Sequence, residues 1–160
     1  MITWTDFEKR APDLAAAGRE QFYQHGLGLG FLATVRRDGG PRVHPVCPVI
    51  SGRGLHLVVM PGPKLADLRR DRRYSLHSET LPPPREDDGF AVTGRAREVD
   101  GTAIRAAIRG QVEAERGGRV WEGFDEHVLF ELGIERCLLM LTQPGETFPK
   151  GATIWKAPVS

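Results

Sequence analysis

The stretch GFLATVRRDGGPRVHPVCPVI, Gly30 to Ile50, decides the fold. Gly30 to Arg36 reads as a strand bounded by glycine. Asp38-Gly39-Gly40 follows as a hairpin signal, because the primed turns that join two twisted strands require positive φ. Pro41 to Ile50 is then the return strand. Its prolines, Pro41, Pro45 and Pro48, donate no ladder hydrogen bonds. Such a strand belongs at a sheet edge, at a bulge, or where its free groups face a ligand.

Working downstream, Ser51-Gly52-Arg53-Gly54 is a turn and Leu55 to Met60 a third strand. Lys64 to Arg70 places Leu65 and Leu68 at helical spacing, which predicts a two-turn helix. Tyr74 to Glu79 is a fourth strand, and Leu81 to Asp88 a proline-rich, acidic surface loop. In a fifth strand, Gly89 to Val99, Phe90, Val92, Gly94 and Ala96 share a face. A glycine there implies close backbone approach where a barrel curves tightly. Asp100 or Thr102 caps a helix to about Glu115, which Gly117-Gly118 breaks. Val128 to Leu132 and Cys137 to Leu141 read as two strands turning at Gly133-Ile134-Glu135, with one continuous helix as the alternative. Thr153 to Lys156 is a short final strand. Upstream, Thr5 to His25 is helical, with Pro12 starting a second piece. The strand count points to a barrel that closes its own edges.

With 160 residues the chain is expected to form one domain, 1–160, large enough to bury a core without staples. The N-terminal helical segment covers about 5–26 and the barrel about 29–157. A net charge of +1 gives no argument for nucleic acid or an anionic membrane as partner. The two cysteines, Cys47 and Cys137, lie in apolar runs without CxxC spacing, which reads as reduced, buried thiols. No apolar run approaches a membrane span, and Met1 to Glu8 lacks the layout of a signal peptide, so the expected location is the cytoplasm.

Lys64 is the first candidate for chemistry. It stands where a strand gives way to a helix, and a helix N-terminus supplies free amides and a favourable dipole for a phosphate. Arg69, Arg70, Arg72 and Arg73 follow and add positive charge; the plainer alternative is a solvated face. His44 is a candidate hydrogen-bond partner or proton donor, or simply a packed strand residue. Cys47, between Val46 and Pro48, reads as a core thiol. Trp155 either covers a cofactor ring or packs the C-terminus. No HExxH or CxxC pattern suggests a metal site. Gly26-Leu27-Gly28-Leu29-Gly30 precedes a strand instead of following one, so any nucleotide-type cofactor here is not held in a Rossmann turn.

Three segments in order, Gly30 to Val46, Pro63 to Leu76 (PKLADLRRDRRYSL) and Val92 to Asp100 (VTGRAREVD), resemble the pyridoxamine-phosphate-oxidase-like, FMN-binding split-barrel family. The resemblance implies a mainly β fold with flanking helices, a six-stranded split barrel, and a homodimer with two cofactors bound between subunits. Lys64 matches the family lysine that contacts the cofactor phosphate. His44, Pro45, Val46 and Cys47 match the segment along the flavin ring, and Val59 and Met60 match a strand end at the cofactor. His44 stands where the true oxidases carry arginine, Val49 where they carry lysine, and Gly62-Pro63 where they carry Ser-Arg. Gly145 to Ser160 has no counterpart of their substrate-binding tail. The expected function is therefore not pyridoxamine phosphate oxidation but FMN-dependent redox chemistry on a small organic substrate. A deazaflavin-dependent reductase, with Arg69, Arg70, Arg72 and Arg73 meeting a longer anionic tail, is the first alternative. A non-enzymatic flavin-, haem- or partner-binding module is the second.

Overall fold

Pro48 divides the predicted return strand in two. In the computed structural model, which describes residues 1–158, the chain runs α1 (Trp4–Arg10), α2 (Pro12–Phe22), β1 (Gly30–Val35), β2 (Pro41–Val46), β3 (Val49–Ser51) and β4 (Gly54–Val59). It continues through α3 (Pro63–Arg70), β5 (Arg73–Ser78), β6 (Gly89–Glu98), α4 (Thr102–Glu115), a 3-10 turn (Phe124–Glu126), β7 (Val128–Met140) and β8 (Ala152–Lys156). All neighbouring strands are antiparallel, in the order β2-β1-β5-β6-β7-β4-β3, with β8 added on β7.

The two ends of that order are sequence neighbours. Only Cys47 and Pro48 separate β2 from β3, and three peptide steps span at most about 11 Å. The sheet must therefore curl until its ends almost meet, which makes it a split barrel. Counting β2 and β3 as one strand bent at this corner, and setting short β8 aside, the barrel has six strands.

The hairpin forms where predicted but with a different turn. Gly39 alone has positive φ (86°); Arg36 N–H donates to Gly40 O and Gly39 N–H to Arg36 O. That is a type I turn closed by a glycine bulge. The same hydrogen bond sets the ladder phase. Pro41, Val43 and Pro45 fall opposite Val35, Ala33 and Phe31 at the positions whose amides point away from β1. The prolines thus cost the ladder nothing, and β2 is an edge strand that shows a single outward N–H, that of Val43.

One further expectation is corrected. Val128 to Met140 is one 13-residue strand, and no turn or helix occurs at Gly133-Ile134-Glu135. The pairing with β6 shifts register at Thr93/Gly94, so β7 bulges there and continues. A Cβ on Gly94 would stand 1.9 Å from Gly133 O, which is the close approach expected of that glycine. The other edge of β7 is shared end to end by β4, by Ile2 pairing with Ile134, and by β8.

Inside the barrel, Leu32, Leu57, Leu76, Val92, Phe130, Leu132 and Cys137 form the core. Trp4 and Phe7 of α1 and Phe22 of α2 join it, with Phe22 edge-on to Phe90 at 5.6 Å. Trp155 packs on Phe7 at 4.9 Å, so it fastens β8 to α1. A second cluster lies outside the barrel, where Ile108 and Val112 of α4 cover Val49 and Leu129. Among the described residues no helix is long and apolar enough to cross a membrane.

Candidate functional site

Four segments meet in a groove of about 470 Å³. The β2–β3 corner contributes Pro45, Val46 and Cys47; the end of β4 contributes Val58 and Met60. Lys64 enters from the start of α3, and Arg116, Trp121 and Glu122 come from the end of α4 and the loop beyond it. Five of the seven residues singled out from sequence, Pro45, Val46, Cys47, Met60 and Lys64, are therefore brought together. The other two are not among the lining residues. Val59 is 1% exposed in the core, and period-2 alternation gives the groove position to Val58 instead.

His44 points to the inward face of β2 with Arg42 and Val46. Burial, and then the charges of Lys64 and Arg42, outweigh the opposing pull of Asp67 and hold its pKa below the ordinary histidine value. Its Nε2 is shielded from solvent and has no hydrogen-bond partner among the described residues.

The helix carrying Lys64 is held by a buried carboxylate. Asp67, 3% exposed, accepts from Arg42 Nε at 2.6 Å, from Thr34 Oγ1 at 3.2 Å, and from both terminal nitrogens of Arg70 at 3.2 Å. Arg70 also donates to the Val35 carbonyl. This network ties α3 to both strands of the first hairpin. Burial alone would raise the Asp67 pKa, but the three hydrogen-bonding partners prevail and hold it below the usual carboxylate range. At the start of α3, Gly62 has no capping side chain and Pro63 has no N–H, which leaves the amides of Lys64 and Leu65 facing outward. Burial lowers the Lys64 pKa, with Cys47 pulling the other way. A partly desolvated ammonium of this kind gains from an anionic partner.

Cys47 is not the core thiol its apolar neighbours suggested. It is half-buried, and Arg116 Nη2 donates to its Sγ at 3.1 Å. No hydrogen bond among the described residues engages its backbone N–H. Cys137 does sit in the core, where burial pushes its thiol up to about 12. On the far wall, the Trp121 ring lies 5.5 Å from the Arg116 guanidinium, and its indole N–H donates to His127 Nδ1 at 2.9 Å. The end of α4 is itself tethered, because Tyr23 donates its hydroxyl to Glu115 and accepts the Ile50 N–H, both at 2.9 Å.

The arginines after Lys64 are mostly committed elsewhere. Arg69 pairs with Glu98, Arg70 with Asp67 and Arg73 with Asp71. Among the described residues only Arg72 of the four lacks a carboxylate partner, so they form no free cationic tract. Sequence reading missed Arg116, Trp121 and Glu122. Nothing local marks them except a tryptophan just beyond the Gly117-Gly118 break, and their arrival beside Cys47 is a product of tertiary packing.

Comparison with known proteins places this geometry in a recurrent fold. Neither a scan of protein-family models nor a search of curated proteins finds a match. Solved structures do match. A heme binding protein from Mycobacterium smegmatis superposes with a TM-score of 0.62 over 88% of this chain at 19% identity; the match spans 57% of that protein's length. A Listeria innocua protein assigned as a pyridoxamine 5'-phosphate oxidase gives 0.58 at 18% identity, over 74% of this chain and 91% of that one. An F420 reductase gives 0.54 at 18% identity, over 74% and 94%.

Proposed function

With its fold that of the pyridoxamine 5'-phosphate oxidase-like split barrels, we propose that this chain binds a flavin-type cofactor in the groove and acts as an oxidoreductase on a small organic substrate. The observation that carries the reading is the position of Lys64. Its half-buried ammonium lines a largely apolar groove beside the uncapped first turn of α3, in a fold shared with flavin-type proteins.

The residues present fit such a group. Lys64, with the Lys64 and Leu65 amides, would hold a phosphate. Pro45, Val46, Val58 and Met60 offer apolar surface to a ring, and the unengaged Cys47 N–H offers one hydrogen bond to its polar edge. When bound, the cofactor supplies the two-electron chemistry, while the protein orients it and excludes water. His44 does not line the groove, so it is not assigned to the ring. Arg69, Arg70 and Arg73 are occupied by carboxylates, which argues for a short anionic tail, as in FMN, over a long one.

The groove opens beside an apolar edge, where Val43 is 61% and Met60 60% exposed and Phe31 lies nearby on β1. A second copy of the chain covering this edge would enclose the cofactor, so the proposed working unit is a homodimer. Parallel titration of the purified chain with FMN, with the deazaflavin coenzyme and with haemin tests the reading. Saturable binding of FMN, tighter than of the other two, is the expected result. Tightest binding of haemin would replace the redox reading with that of a haem-binding module.

A further inference from the structure

Arg116 takes the C-cap position of α4, and its guanidinium reaches across to the β2–β3 corner. There its neighbours are the Cys47 Sγ at 3.1 Å and the Trp121 ring at 5.5 Å. Two turns earlier on the same helix, Arg109 is paired with both Glu113 and Asp125. No ion pair among the described residues includes Arg116, although Glu122 lines the same groove. An arginine stacked on an aromatic ring and steadied by a weak acceptor keeps most of its donor fork free.

We infer that Arg116 is the substrate anchor of this groove and that its substrates are small carboxylates with an apolar body. The inference rests on the cofactor reading in one respect: Lys64 is taken by the cofactor phosphate, which leaves Arg116 as the second cation of the lining. A planar two-oxygen acceptor matches the guanidinium fork. Glu122 on the same wall opposes a second negative charge, which favours a monoanionic carboxylate over a dianionic phosphate ester. Val46, Val58 and Met60 line the same groove as the two cations and supply apolar surface.

Calorimetric titration with benzoate, benzamide and phenyl phosphate tests this, alongside a separate FMN titration of the same protein. Benzoate is expected to bind about ten- to hundredfold more tightly than benzamide, the range for hydrogen bonds to a charged group. Arg116→Gln is expected to remove that preference. Equal binding of benzoate and benzamide, or a preference for phenyl phosphate, overturns the inference. The wild-type comparison stands even if the variant does not fold. FMN binding without benzoate preference sinks this inference and leaves the cofactor reading. An Arg116-dependent benzoate preference without FMN binding does the reverse.

Discussion

Cys47 and Cys137 show how a residue's chemistry follows its surroundings rather than its type. Both occur in apolar runs of sequence, yet one lines the groove beside Arg116 and the other is sealed in the barrel. Burial raises the Cys137 thiol to about 12, so at pH 8 it is protonated as well as inaccessible. Titration of the native apoprotein with a chromogenic disulfide reagent is expected to count one fast thiol per chain, and two after denaturation. Two fast thiols in the native state, or a native thiol that survives Cys47→Ser, would contradict this placement. Sequence reading missed the difference because it lies in what faces Cys47 across space. Lys64, by contrast, was legible: its setting, a strand end followed by a helix start, is written in contiguous residues.

At the scale of elements, α3 owes its position to Asp67 and its partners on β1 and β2. Because the folded pKa of Asp67 is depressed, its stabilisation is fully present above the unfolded carboxylate value of about 3.9 and is lost as pH falls through the folded value. Asp67→Asn should therefore cost about 3 kcal/mol near pH 7, the scale of breaking a buried pair, and should lose less on acidification than the wild type. Urea denaturation of both proteins at pH 7 and in acid measures this; an equal acid loss in the two would show that Asp67 is not the titrating anchor. The β1–β2 hairpin could be read from sequence because period-2 alternation and turn glycines are local. The continuity of β7 could not. Gly133 resembles a turn residue until Gly94, some forty positions earlier, is seen to pack against its carbonyl.

For the whole molecule, the curled sheet brings the proline-bearing edge strand, the end of β4, the start of α3 and the end of α4 to one place. Val43 and Met60 are exposed apolar side chains, and they are where the proposed homodimer would close. Sedimentation is expected to give twice the 17.7 kDa chain mass. Val43→Arg, which sets a charge on that edge, is expected to shift the chain toward monomer. A monomeric wild type would contradict the dimer.

The central claim is that the groove takes a phosphorylated flavin through Lys64. Its most direct test is the FMN dissociation constant of the wild type against that of Lys64→Ala, with folding of the variant checked by its thermal transition. Loss of one charge-assisted contact should weaken binding about ten- to hundredfold. Equal affinities, or a wild type that binds no flavin at all, would contradict the account.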